Sequence, residues 1–122
     1  MTSSTKQLIK QLHFFNDIDQ KMQVSTILAF LEVADAYDNG RDISVKEVQK
    51  RVGFHSSSAT RNIYYWAEGH DQMSQALGFV DVALDQEDRR RRVLGLTVKG
   101  RKALRTLKGI DDGEETGEPV AS

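Results

Sequence analysis

The chain has 122 residues, enough for one domain with a modest core, and its 39% hydrophobic and 29% charged content is that of an ordinary globular protein. It has no cysteine, which excludes a disulfide framework, thiolate zinc ligation and cysteine redox sensing. No apolar run approaches the roughly 20 residues of a membrane span. The opening MTSSTKQLIKQLHFF has no continuous apolar stretch leading to a small-residue cleavage site, so a cytoplasmic protein is expected. The net charge of −1 hides an asymmetry. All 17 basic residues fall within residues 1–108 beside 13 of the 18 acids, so that stretch carries +4 and residues 109–122 carry −5.

In chain order, the first helical pattern covers residues 6–15, with Leu8, Ile9, Leu12 and Phe15 at helical spacing. A second covers residues 20–37, where Val24, Ile27, Leu28, Leu31 and Ala34 form a stripe, and Asn39-Gly40 ends it. Ser44-Val45-Lys46-Glu47 is a capping box: the Ser44 hydroxyl accepts from the Glu47 amide and the Glu47 carboxylate accepts from Ser44. The helix it opens carries Val48 and Val52 on its buried side and stops at Gly53. A serine-rich segment then starts a fourth helix to about residue 67, with Ala59, Ile63 and Trp66 as its apolar positions. Two short helices joined by a tight glycine-containing turn make a helix-turn-helix.

Residues 79–84 favour a strand, with Val80, Val82 and Leu84 alternating inward, and residues 92–96 return as a second strand. Asp85 to Arg91 is the polar tip between them. Thr97 caps a last helix to about Lys108, with Gly109 at its end. The fold class expected is mainly α with a small β-hairpin wing, a winged helix-turn-helix over residues 1–108. Residues 109–122, acidic and nearly devoid of apolar side chains, are expected to be a disordered tail that competes electrostatically with phosphates.

These residues resemble the MarR family. Glu47 to Arg61 follow its helix-turn-helix pattern without gaps, with Gly53 as the turn glycine, Phe54 as the apolar plug and Thr60-Arg61 as its Thr/Ser-Arg pair. Gly78-Phe79-Val80 stands ten residues before Asp88, as in the family's "GLV…D", and Leu96-Thr97-Val98-Lys99-Gly100 is similar to its "LTxxG". The resemblance spans residues 43–104. The chain departs from the pattern by an insertion between Ala67 and Leu77, and its helical pattern stops near Lys108, short of the family's C-terminal helices. The resemblance implies a sequence-specific double-stranded DNA-binding regulator of transcription, a homodimeric repressor without catalysis or cofactor. Its recognition helix would lie in the major groove and its wing in the minor groove.

With Ala59, Ile63 and Trp66 inward, Ser57, Ser58, Arg61 and Tyr64 turn outward, joined by Ser56 and Thr60 as short hydroxyls near the helix start. Hydroxyls there approach bases and phosphates, and arginine grips guanine or phosphate. Arg89-Arg90-Arg91-Arg92 alone would be a solvated face. At a hairpin tip beside a recognition helix, Arg89, Arg90 and Arg91 become candidates for a narrow minor groove. The resemblance singles out Arg90, oriented by Asp88, and gives Lys99 a phosphate role. Leu8, Ile9, Leu12 and Phe15 are assigned to the dimer contact. His13, His55 and His70 are too scattered for a metal set, and no nucleophile elbow supports hydrolysis. The alternative is a winged helix used for protein–protein interaction, with the Ala67–Leu77 insertion and the acidic tail as its contacts.

Overall fold

The computed structural model describes residues 4–53, 56–68 and 77–112. Five helices and three short strands follow in the order α1 (Ser4–Ile18), α2 (Val24–Asp38), β1 (Ile43–Ser44), α3 (Val45–Val52), α4 (Ser56–Glu68), β2 (Val80–Leu84), β3 (Arg92–Leu96) and α5 (Val98–Asp112). The described residues fall into two compact units, one within residues 23–101 and one combining residues 4–22 with residues 102–112.

In the first unit, α2 packs against α3 and α4. Its buried residues are Thr26, Ala29, Phe30, Val33, Ala34 and Ala36, so of the expected stripe Ala34 is buried and Ile27 half-buried, while Val24 is 70% exposed and Leu28 and Leu31 are exposed too. The helix is apolar around most of its circumference, so periodicity could not choose the inward face. The alanines let neighbouring backbone come close while Phe30 enters the core. Phe30, Trp66 and Phe79 form one aromatic cluster, with the Trp66 and Phe79 rings stacked 5.7 Å apart and Phe30 4.9 Å from Trp66. Full burial of side chains of this size contributes roughly 1.5–3 kcal/mol each. The Trp66 indole donates to the Thr26 carbonyl at 2.7 Å, and the Thr26 hydroxyl donates to Asn62 Oδ1, so α2 and α4 are also joined by hydrogen bonds.

The capping box of α3 is formed: the Glu47 amide donates to Ser44 Oγ at 3.2 Å and the Ser44 amide to Glu47 Oε1 at 2.9 Å. Gly53 ends the helix at φ 91°, in the left-handed region that disfavours a side chain, and its amide donates to the Gln49 carbonyl. Phe54 and His55 lie outside the described residues, so the assignment of Phe54 as the plug of the turn is not described.

The expected hairpin is part of a three-stranded antiparallel sheet in the order β1-β3-β2, with Val80 opposite Leu96 and Leu84 opposite Arg92. The third strand, Ile43–Ser44 against Leu94 and Val93, was not anticipated, because two residues carry no periodicity. The inward alternation of β2 holds only at its base: Val80 is buried, Val82 half-buried, and Leu84 60% exposed toward the tip. Residues 69–76, most of the insertion, lie outside the described residues. Its flanks meet: the Gly78 amide donates to the Ala67 carbonyl at 3.0 Å and the Phe79 amide to the Trp66 carbonyl at 2.9 Å.

Thr97 joins the sheet to α5. Its hydroxyl donates to the Gly78 carbonyl at 2.6 Å and accepts from the Gly100 amide at 3.0 Å, which caps the helix. Gly100 has no room for a side chain, since a Cβ there would stand 2.0 Å from the Phe79 carbonyl oxygen. The helix does not stop at Gly109 but continues to Asp112. A glycine ends a helix by taking a left-handed conformation, and only Gly40, Gly53 and Gly78 do so among the described glycines. Residues 113–122 of the expected tail lie outside the described residues. In the second unit, Phe15, Ala103, Leu104 and Leu107 are buried.

Candidate nucleic-acid interface

Helix α4 presents two different faces. Ile63 and Trp66 are each 1% exposed, whereas Arg61 is exposed and Thr60 and Tyr64 are half-buried. Spacings of three and four residues place Thr60, Arg61 and Tyr64 on one side of a helix. The backbone of α4 begins at Ser56, but the side chains of Ser56, Ser57 and Ser58 lie outside the described residues. The Tyr64 hydroxyl accepts from Arg92 Nη1 at 3.2 Å, tying α4 to β3.

The arginine run divides by partner. At the tip, the Glu87 amide donates to Asp85 Oδ1 and the Arg90 amide to Asp88 Oδ1, folding the turn back on its own carboxylates. Arg89 is exposed, and the Arg90 side chain is 94% exposed with its Nε 3.6 Å from Asp88 Oδ1, the pair anticipated from sequence. Arg91 behaves otherwise: one terminal nitrogen donates to Asp85 Oδ2 at 2.9 Å and the other to Glu47 Oε1 at 3.0 Å. The expected DNA contact at Arg91 is thus a group already engaged inside the protein. Its partner Glu47 is the capping residue of α3, so a single carboxylate oxygen closes the helix start and holds the wing.

The acids register this pairing. Burial works to raise the Glu47 carboxyl, but donation from Ser44 and Arg91 outweighs it and holds it below the ordinary 4.5. Donation from the Glu87 amide, then from Arg91, holds Asp85 below 3.8. The same contacts, Asp85 first and Glu47 second, raise the Arg91 guanidinium.

Between α3, α4 and the wing lies a cleft of about 580 Å³. Its walls include Lys46 and Gln49 of α3, Thr60 of α4, and Asp88, Arg90, Arg91 and Arg92 of the wing. Thus α4 and the wing tip face one common space, with four cations against one carboxylate. Lys46 and Gln49 were not singled out in the sequence. The signal was available in the helical wheel, which sets them off the side of α3 that carries Val48. Lys99 does not line the cleft; its ammonium lies 5.7 Å from the centroid of the Phe79 ring.

Of the residues assigned to the dimer contact, Leu8, Ile9 and Leu12 are 46–55% exposed, a substantial apolar surface on α1. Phe15 is not available in the same way: it is 3% exposed, its ring set edge-on to Phe14 at 5.3 Å. A side chain already buried in its own chain offers a partner little area. Among the described residues no three His, Asp or Glu side chains gather as a metal site, and no helix is long and apolar enough to cross a membrane.

No family model and no curated protein sequence matches the chain. Solved structures do. A mutant of S. aureus MepR bound to an oligodeoxyribonucleotide superposes with a TM-score of 0.69 at 15% identity, covering 92% of this chain and 72% of that one. A mutant of E. coli MarR complexed with operator DNA gives 0.59 at 14% identity, covering 85% and 67%. The heme sensor protein PefR of Streptococcus agalactiae, in complex with heme, gives 0.61 at 18% identity, covering 88% and 68%. The chain has the MarR-like winged helix-turn-helix fold.

Proposed function

We propose that the chain is a cytoplasmic, non-catalytic transcriptional regulator that binds double-stranded DNA as a homodimer and represses by occupying its site. Helix α4 enters the major groove with Thr60, Arg61 and the serines at its start, and the wing delivers Arg90 and Arg89 to the adjacent minor groove. The observation that carries this reading is the common cleft: Thr60 of α4 and Arg90 of the wing tip line one cationic space, and Arg61 is exposed on α4. DNA-bound structures of the same fold support it. Lys99 contributes a phosphate contact from the start of α5. Leu8, Ile9 and Leu12 pair the two copies, which sets two recognition helices on half-sites about one helical turn apart.

The test is a fluorescence-polarisation titration of labelled duplex over a salt series. Binding through several Lys and Arg contacts weakens steeply as salt rises, because condensed counterions are released on binding. Arg61→Ala is expected to lower affinity for a selected site more than for random duplex, and Arg90→Ala to lower affinity by about 1–3 kcal/mol with a shallower salt slope. A wild-type protein with no salt-dependent affinity for any duplex would favour the protein-interaction reading instead.

A further inference from the structure

Asn39-Gly40, the pair that ends α2, carries a chemistry that the proposed function does not use. Of the three asparagines in the chain, Asn39 alone precedes a glycine. Glycine has no Cβ to shield its amide nitrogen, so that nitrogen can reach the side-chain carbonyl carbon of the asparagine before it. Both residues are exposed, and Gly40 takes the left-handed conformation at φ 63°.

The folded chain restrains both reacting groups. Asn39 Nδ2 donates to the Asp35 carbonyl at 2.8 Å and to Asp35 Oδ1 at 3.1 Å. The other Asp35 oxygen is held by Arg41 Nη2 at 2.8 Å, so the acceptor is itself fixed. The Gly40 amide, the nucleophile, donates to the Tyr37 carbonyl at 3.2 Å. While these bonds stand, the nitrogen is tied to the helix and the carboxamide to Asp35. Attack requires the release of both, which is a local opening of the last turn of α2.

We propose that Asn39 is a site of spontaneous deamidation, gated by the C-terminal cap of α2, whose product cannot rebuild that cap. On opening, the Gly40 nitrogen bonds to the Asn39 side-chain carbon, the bond from that carbon to Nδ2 breaks, and ammonia leaves with the Gly40 proton. Water then opens the resulting succinimide at either carbonyl, giving aspartate or isoaspartate and releasing a proton from the new carboxyl group. Either product lacks the Nδ2–H donor that binds Asp35. The new carboxylate also joins Asp35 and Asp38 in the last turn, where the helix dipole disfavours anions. Isoaspartate further lengthens the main chain between α2 and β1, although Ile43, four residues on, is 1% exposed and paired with Leu94. The mark is one-way, and a marked chain opens more easily than before.

Incubation of the full chain in warm, mildly alkaline buffer, followed by tryptic mapping, tests it. The peptide 22–41 contains Asn39 as its one asparagine. Conversion in the folded protein is expected to be about tenfold slower than in the same chain unfolded in guanidinium. Asp35→Ala, at an exposed position, is expected to keep native Trp66 fluorescence and to speed conversion several-fold. Equal rates in folded and unfolded chains, or slower conversion in Asp35→Ala, would overturn the gate. No conversion in the folded wild type or in Asp35→Ala, over a time in which the unfolded chain reacts fully, would remove the site. Asn39→Asp reads the consequence: amide protection at Gly40 and Arg41 is expected to fall, and wild-type protection there would refute the loss of the cap. None of these measurements uses duplex, so their outcome is independent of the function proposed above.

Discussion

Helix α4 is fastened by what it buries: Ile63 and Trp66 are each 1% exposed, and Trp66 stacks on Phe79 and donates to Thr26. The wing tip is fastened by what it pairs: beyond the buried Val80, Leu94 and Leu96, the side chains that hold the hairpin to its surroundings are Arg91, bridging Asp85 and Glu47, and Arg92, donating to Tyr64. Apolar burial resists salt and pH, whereas exposed ion pairs are screened and titrate. The proposed base-reading helix is therefore set rigidly, while the proposed minor-groove element is held by contacts that solution conditions can loosen.

Breaking the apolar anchor has the largest expected effect. Trp66→Ala removes the centre of the aromatic cluster and the indole hydrogen bond to the Thr26 carbonyl. It is expected to lower unfolding free energy by about 3–5 kcal/mol in a urea titration. A loss under 1 kcal/mol would mean that α4 is not held by its buried face. Ser44→Ala probes the junction between the two anchors, because Ser44 caps α3 while the Glu47–Arg91 bond survives. The cap alone is worth about 1 kcal/mol, and its loss is expected to appear as a lower melting temperature with duplex affinity largely retained.

The smallest effect on global stability, and the sharpest on the comparison, is acid. Glu47 and Asp85 titrate below their ordinary values in the folded chain. The stabilisation they contribute is therefore present in full above the ordinary carboxylate range and lost as pH falls through the depressed folded values. Below about pH 4, amide protection factors (exchange relative to the intrinsic rate at the same pH) in β2 and the wing tip are expected to fall while Trp66 fluorescence stays native. Arg91→Gln should bring the lower protection up to neutral pH. Equal acid sensitivity at Trp66 and at the wing would dissolve the distinction drawn between them.

What the sequence disclosed follows the range of the interactions. The capping box of Ser44 and Glu47, the turn at Gly53 and the bounds of β3 are local, and each stands as expected. The Thr97 and Gly100 pattern was visible as a motif, but its cause was not: Gly100 is required by the Phe79 carbonyl, 21 residues away. Of the stripe expected on α2 only Ala34 is buried, because the apolar residues of this helix surround it and only the packing partners choose among them. The role of Arg91 was hidden for a related reason. Four consecutive arginines are alike in sequence, and the bond to Glu47 that separates one from the others spans 44 residues. Lys46 and Gln49 line a cleft only because the wing folds beside them.

The paired hydrogen bonds from Gly78 to Ala67 and from Phe79 to Trp66 have a consequence for engineering. They tie the end of α4 to the start of β2 through the main chain, independently of the side chains that pack there. Replacing the side chain of Phe79 therefore leaves its amide bond to Trp66 in place, whereas a proline at that position would remove the donor altogether.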